Sequence, residues 1–392
     1  MINRSVALVC MSLLLIFVSG ARPELCPADD IVIGVPVNLS GINGVMGRME
    51  RNSYLLALAE INTAGGINGE TLKLDMRDTR GDPGVTRSIV NHFINVKGYP
   101  MIAGASGSLE TATAAAICER KSVPFLAVSG ADESITRKGY SFTFRVNPAL
   151  HTYPEGVIGF LERVVRPQRL AIIYERSDFA RGIASALSTA GEARGWVDSE
   201  FVYDFGALDL NPLLGRVREF SPDAVFLMSY SQDAPLIVQY LREHVPDIKA
   251  VITGLPSQTQ SRFPGVYQGQ GDNLFGMSVW SPKLPYFGAQ RFHSKYVKRF
   301  GSEPDYRGAQ AYAAVYILAD ALRRSPSLDG EDLREALEAT NRKTAFGTVR
   351  FVSDEHYRNQ NMPPTYVVQM IDGSLEVVWP PEFKTAQYVL EP

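Results

Sequence analysis

The chain contains few of the residues on which metal, redox or nucleic-acid chemistry depends. Its 392 residues include three cysteines and five histidines, and no two histidines stand at the close spacing of metal ligands. Lys and Arg total 39 against 42 acidic residues, so no excess of charge favours nucleic acid or an anionic membrane. No Gly-Lys-Ser/Thr is present for a nucleotide-binding P-loop. We therefore expect neither a metal nor another cofactor.

Hydrolysis has one weak candidate. Residues 104–108 read Gly-Ala-Ser-Gly-Ser, close to the Gly-x-Ser-x-Gly elbow of serine hydrolases. The second glycine comes one position early, because Ser108 occupies its place. No Asp followed by His offers an obvious triad after this loop. The chain is accordingly predicted not to be an enzyme.

The amino terminus carries an apolar run. Arg4 precedes an apolar segment at 6–18, and Ser-Gly-Ala follows at 19–21. A positive residue, a short apolar stretch and small residues are typical of a secretory signal peptide. The run is too short to cross a bilayer comfortably. A buried core segment is the other interpretation, but nothing before it could cover it. We predict a cleaved signal peptide at 1–21 and therefore export.

The remaining length suggests two domains, and one unit at 31–76 sets their pattern. An unbroken apolar run at 31–37 is typical of a parallel strand buried on both faces. A turn-rich loop, a helix with one apolar face and a second strand at 72–76 follow. Strand and helix patterns then alternate in two successive series, one before residue 147 and one after it. We predict an α/β fold with two doubly wound parallel-sheet lobes.

Loops at the carboxyl ends of such strands are where open α/β sheets bind ligands. The loop after the first strand lacks a phosphate-binding glycine pattern, so a nucleotide ligand is not predicted. Two later loops of this kind, at 104–108 and 129–132, are rich in Ser and Gly and are expected to lie at a ligand site. Helix capping is the alternative role for the serines.

Several motifs, taken in order, resemble the leucine/isoleucine/valine-binding family of type I periplasmic solute-binding proteins. They are Leu-Ser-Gly at 39–41, Gly47, Ala-Glu-Ile-Asn at 59–62, Gly-Gly-Ile-Asn-Gly at 65–69, Asp78 and Asp-Pro at 82–83. The resemblance implies two lobes joined by a three-stranded hinge, with crossovers near Asn147, Trp280 and Gly347. It places the amino-terminal lobe at 28–146 plus 281–347 and the carboxy-terminal lobe at 147–280 plus 348–392.

The resemblance also implies a function. Proteins of this family capture a small solute when their two lobes close, and they deliver it to an ABC permease with its ATPase subunits. The chain is thus expected to be a monomeric periplasmic solute-binding protein that binds no nucleic acid. A ligand-sensing receptor or regulator domain of the same fold is the alternative.

Ligand-binding residues are carried over from the family loop by loop. Met46 stands where the family has an aromatic residue, and Ser106 and Ser108 match a serine loop that grips the ligand carboxylate. Ser129 and Gly130 match the next loop, in which Ala131 replaces a family threonine. In the second lobe the candidates are Phe179, Tyr230 and Leu255, for which core or hinge packing is the alternative.

The strand ending at Thr253 carries the main departure from the family. Amino-acid binders place a carboxylate just after this strand to pair with the ligand ammonium, yet no Asp or Glu lies between Ile248 and Gly271. A buried ammonium without a partner is costly. We hypothesise a small organic acid, aromatic or branched, or an amide. Arg307 is a possible partner for a carboxylate, although we expect it to be exposed.

Two cysteines, Cys26 and Cys118, remain after signal-peptide removal. An even pair in an oxidising compartment is typical of a disulfide, and both residues are expected near one edge of the first sheet. Two unpaired thiols are the alternative. Mass spectra of the exported protein, recorded with and without reductant, should differ by the two hydrogens of this bond. Free thiols in the exported protein would refute the pairing.

Overall fold

The protein is described from a computed structural model, which covers residues 30–41, 44–204, 206–207, 209–229, 233–254 and 273–390. Two mainly parallel sheets flanked by helices confirm the predicted α/β class. The predicted signal peptide, Cys26, Tyr230 and Leu255 lie outside the described residues.

The first sheet has five strands in the order β2-β1-β3-β4-β5, and every pair is parallel. Helices follow the strands and cover both faces, which gives the strands their continuous apolar character. Its elements are β1 Ile31–Val37, α1 Gly44–Thr63, β2 Leu72–Asp78, α2 Pro83–Asn95, β3 Ile102–Gly104, α3 Ser108–Arg120, β4 Phe125–Ala127, α4 Ser134–Arg137 and β5 Thr143–Arg145.

The second sheet has seven strands in the order β14-β13-β10-β9-β8-β6-β7, parallel except at the β10–β13–β14 edge. Its elements are a 3₁₀ turn Leu150–Thr152, α5 Glu155–Phe160, a π-helical turn Leu161–Val165, β6 Arg169–Glu175, α6 Asp178–Glu192, β7 Val197–Tyr203, α7 Asn211–Phe220, β8 Ala224–Met228, α8 Asp233–His244, β9 Ala250–Thr253, β10 Phe275–Ser278, β13 Tyr366–Ile371, β14 Ser374–Trp379 and a 3₁₀ turn Pro381–Phe383.

The chain returns to the first lobe between β10 and β13. That segment contains α9 Ala289–Phe300, α10 Tyr306–Arg324, α11 Gly330–Glu338 and a small hairpin of β11 Asn341–Thr344 with β12 Gly347–Arg350. Helix α10 packs along α1, and most of its residues are buried. The long helix α10 therefore belongs with the first sheet, although in sequence it lies between β10 and β13 of the second.

Buried polar side chains tie the crossing segments together. Asn147 accepts hydrogen bonds from the Tyr153 hydroxyl at 3.0 Å and from the Gln310 amide at 2.5 Å, and it donates to the Ser129 carbonyl. The Gln360 amide in turn donates to the Asn147 carbonyl at 2.9 Å. Since unpaired buried amides are costly, this network specifies how the segments meet. The lobe boundaries themselves stay predictions.

The structure differs locally from the sequence-based elements. Residues 153–165 have the sequence pattern of one helix, but α5 begins only at Glu155, after Pro154, which has no N–H and stands at its N-cap. The segment ends in the π-helical turn Leu161–Val165. Strand β11 reads Asn-Arg-Lys-Thr and carries no apolar alternation, so the pattern missed it. It forms only because β12 supplies its backbone hydrogen bonds.

Gly47 allows α1 to begin directly against the loop after β1. A Cβ atom at this position would stand 1.7 Å from the Asn38 carbonyl oxygen, far inside van der Waals contact. Asn38 is 3% exposed, so the clash cannot be relieved toward solvent. Glycine is therefore required where the first turn of α1 meets this loop.

Replacing Gly47 with Ala should destabilise the protein, because the loop or the helix must move to accept the methyl group. We expect a loss of about 2 kcal/mol or more in the free energy of unfolding, as for other overpacked sites. Gly215→Ala is the matched control, since no atom lies within 4 Å of a Cβ at that position of α7. The control should stabilise the protein slightly. Equal stability of the two variants in urea denaturation would contradict the close packing.

Candidate ligand-binding site

A cavity of about 220 Å³ opens at the carboxyl ends of β1, β3 and β4. Its wall is built from the loops after these strands, the start of α1, the start of α6 and the start of α10. The lining residues are Asn38, Met46, Ser106, Gly107, Ser108, Ser129, Ala131, Tyr153, Phe179, Tyr306 and Arg307. The site thus combines residues of both lobes, as parallel strand tips in facing sheets allow.

One wall of the cavity carries three serines, Ser106, Ser108 and Ser129, which we call the serine wall. Ser106 lies in the loop after β3, Ser108 is the first residue of α3, and Ser129 lies in the loop after β4. Ser106 accepts a hydrogen bond from the Asn38 N–H at 3.1 Å. Ser108 accepts from the N–H groups of Ala131 and Asp132 at 3.2 and 3.3 Å. These bonds connect the three loops into one surface.

Glu50 lies behind the serine wall and is 1% exposed. Its two carboxylate oxygens accept hydrogen bonds from the hydroxyls of Ser106 and Ser129, each at 2.6 Å. Burial raises the pKa of Glu50 from its ordinary 4.5 to about 6, although these two hydrogen bonds favour the ionised form. A single carboxyl on α1 therefore joins the loops after β3 and β4.

Arg307, in the first turn of α10, also lines the cavity, with 15% of its side chain exposed. Its guanidinium pairs with Asp305 at 3.2 Å and lies 4.6 Å from the centre of the Tyr306 ring. Burial opposes its charge, but the neighbouring groups, with Tyr306 and Asp305 foremost, raise the pKa of Arg307 overall. The expected surface position for Arg307 is wrong, because the first turn of α10 points into the cavity rather than into solvent.

Aromatic and sulfur-containing side chains form the rest of the wall. Phe179 meets Tyr153 edge to face, with ring centres 5.6 Å apart. Met46 and Tyr306 complete this apolar part. Met sulfur and aromatic faces both pack well against a planar ring. The cavity is therefore apolar along its length and polar at the serine wall and at Arg307.

Most of the residues singled out from the sequence meet at this cavity. Met46, Ser106, Ser108, Ser129 and Phe179 line it. Gly130 does not, because a Cβ there would face Thr111 and Ile135 in the packed interior. Cys118, on α3, is fully buried in the core that α2 and α3 share. Its pairing with Cys26 stays a prediction. The ligand contacts of Tyr230 and Leu255 also stay predictions.

Sequence reasoning missed Asn38, Glu50, Tyr153 and Tyr306. Glu50 had a readable signal, since it stands one turn before Tyr54 and two turns before Ala57 on the apolar face of α1. A lone carboxylate on such a face needs buried partners. Tyr153 and Tyr306 lie in segments that the topology alone brings together, and no local pattern marks them.

The described ranges lack two features that would indicate other functions. No group of three or more His, Cys, Asp or Glu residues there could hold a metal ion. Within the same residues, no helix is long and apolar enough to cross a bilayer.

Comparison with known proteins identifies the family. The sequence profile described as "Periplasmic binding protein" matches residues 30–374, which is most of the chain. The chain belongs to the periplasmic binding protein family. Among curated relatives, the leucine-, isoleucine-, valine-, threonine- and alanine-binding protein of Pseudomonas aeruginosa is 25% identical, over 85% of this chain and 89% of the relative. Leu/Ile/Val-binding protein homolog 8 of Brucella melitensis is 24% identical, over 90% and 91%.

Solved structures share the fold of this binding protein. The substrate-binding protein LivJ of Streptococcus pneumoniae, in complex with isoleucine, matches with a TM-score of 0.76 and 22% identity, covering 90% of this chain and 100% of LivJ. A solute-binding protein of an ABC transporter from Rhodopseudomonas palustris, in complex with 3,4-dihydroxy benzoic acid, matches with a TM-score of 0.74 and 18% identity, covering 93% and 99%. Membership of this family confirms the predicted binding function and the predicted fold.

Replacing Glu50 with Gln should change how stability depends on pH. A carboxyl with a raised pKa in the folded state stabilises the fold below its ordinary pKa of 4.5, and this contribution is lost as the pH rises through about 6. The unfolding free energy of Glu50→Gln, relative to the parent protein, should therefore rise by about 2 kcal/mol between about pH 4 and pH 7.

Urea denaturation at both pH values measures this difference. Glu219→Gln is the control, because Glu219 is exposed on α7 and its replacement removes only one surface charge. A difference between Glu50→Gln and the parent that stays constant over this pH range would contradict the assigned environment of Glu50.

Proposed function

We propose that this binding protein is the periplasmic component of an ABC importer and that it captures a small aromatic or branched monocarboxylate. Arg307 carries the proposal, because a largely buried guanidinium faces the cavity and can bind a carboxylate through two parallel hydrogen bonds. Within the described ranges, Asp305 is the hydrogen-bonding partner of this guanidinium, through Nη1. Its other donors are available to a ligand.

The size and chemistry of the cavity support a compact ligand with an apolar body. A cavity of about 150 Å³ holds a benzene ring, and this one measures about 220 Å³. Met46, Tyr153 and Phe179 provide apolar surfaces against which a ring or a branched chain of the ligand can pack. The volume leaves room for one ring and its substituents.

A zwitterionic α-amino acid fits this cavity poorly. The described residues that line it include no Asp or Glu, and the sequence from Ile248 to Gly271 contains none either. Glu50 is separated from the cavity by the hydroxyls that it binds. An ammonium group would therefore be buried without a charged partner, which is costly.

The relatives support transport of such a solute. One solved neighbour is in complex with isoleucine and another with an aromatic acid. The first is described as a substrate-binding protein of a branched-chain amino acid transporter and the second as one of an ABC transporter, so a permease and its ATPase subunits are the expected partners. Closure of lobes 28–146 plus 281–347 and 147–280 plus 348–392 would bury the ligand, since contacts from both lobes form only in the closed state.

Isothermal titration calorimetry with benzoate, 4-methylpentanoate, benzamide and leucine tests this proposal. At least one of the two acids should bind more tightly than leucine. In Arg307→Met the affinity for that acid should fall by about 10- to 100-fold, because a charged hydrogen-bonded pair is lost. Binding of the uncharged benzamide should change much less.

Arg120→Gln is the matched control, since Arg120 is exposed at the far end of α3 from the cavity. It should bind the acids as the parent protein does. Binding of leucine alone, or an unchanged affinity for acids in Arg307→Met, would contradict the proposal.

A further inference from the structure

We propose that the serine wall recognises a hydroxyl group of the ligand and that Glu50 is the specificity-determining residue. Glu50 has this role because it determines whether the serines donate or accept hydrogen bonds toward the cavity. The ligand class is then a hydroxylated aromatic monocarboxylate, with its carboxylate on Arg307 and its hydroxyl on the serine wall. This inference deepens the proposed function and rests on it. It reverses the expectation, carried over from the family, that the serines grip the ligand carboxylate.

The hydroxyl protons of two serines are already committed. A serine hydroxyl has one hydrogen to donate and two lone pairs to accept with. Ser106 and Ser129 each donate that hydrogen to a carboxylate oxygen of Glu50, at 2.6 Å. Toward the cavity these two side chains therefore present lone pairs, which attract a donor and repel a carboxylate.

A second carboxyl lies behind the same wall. Glu110, which is 4% exposed, accepts hydrogen bonds from the Thr79 hydroxyl and from the N–H of Gly107, the N-cap residue of α3. This is the capping arrangement in which a side chain at the third helical position returns to the N-cap amide. A ligand carboxylate placed here would meet two carboxyl groups of the chain, and that amide would not be free to receive it.

Ser108 completes the match to a hydroxyl. Its oxygen accepts two backbone hydrogen bonds, from Ala131 and Asp132, and among the described residues its own hydrogen has no acceptor. A ligand hydroxyl both donates and accepts. It can thus donate to Ser129 while it accepts from Ser108, a pairing that neither an ammonium nor a carboxylate can complete.

Calorimetry with 4-hydroxybenzoate, 4-methoxybenzoate and benzoate tests the inference. The hydroxyl compound should bind at least about tenfold more tightly than benzoate, since it satisfies both serines. The methoxy compound keeps the oxygen but has no hydrogen to donate, so it should bind no more tightly than benzoate.

Two variants test the assigned roles. Ser129→Ala should weaken binding of 4-hydroxybenzoate about tenfold more than it weakens binding of benzoate, because only the hydroxyl compound loses a hydrogen bond. In Glu50→Gln the amide can accept from one serine but must donate to the other, which frees one hydroxyl hydrogen to point into the cavity. The ratio of the affinity for 4-hydroxybenzoate to the affinity for 4-methoxybenzoate should therefore fall. A general loss of structure would lower all affinities together and leave this ratio unchanged.

Ser88→Ala, an exposed position on α2, is the control and should bind all three acids as the parent protein does. Equal affinities for the three acids in the parent protein would overturn the inference while the proposed function stands. Binding of a branched aliphatic acid but of no aromatic acid would also overturn the inference and leave the proposed function standing. Failure of every carboxylate to bind would overturn the proposed function and this inference together.

Discussion

The hydrogen bonds from two serine hydroxyls to the buried carboxyl of Glu50 connect the parts on which the cavity depends. They join α1 to the loops after β3 and β4, which Ser108 also joins to each other. The sheet brings these loops to one edge, but it does not determine the direction of their side chains. Because a buried carboxyl must be paired, the bonds orient the serine wall and decide which atoms it presents to a ligand.

Another part of the cavity wall depends on α10, which packs along α1 but lies in sequence between β10 and β13 of the second sheet. Its first turn carries Tyr306 and Arg307 to the cavity, and its buried Gln310 is bound to Asn147 in the first crossing segment. When the lobes move, the hydrogen bonds of this amide network must be kept. The hinge is thus held by hydrogen bonds whose loss would leave polar groups buried without partners.

Much of the fold could be predicted from the sequence because its signals are local. Apolar strands, amphipathic helices and turn residues identified most of the elements, and the family resemblance indicated Met46 and the serines as cavity residues. The prediction was wrong where burial overrides local character. Arg307 was expected at the surface, since arginine is rarely buried, yet Asp305 and Tyr306 stabilise it in the cavity wall.

The sequence by itself determined the α/β alternation, the family and the absence of a carboxylate after the strand that ends at Thr253. These properties depend on residue order within short segments, and pattern reasoning can reach them. Only the tertiary structure decided the polarity of the site. Glu50, Ser106 and Ser129 are far apart in the chain, and whether a serine offers a proton or a lone pair depends on the partner that folding places beside it.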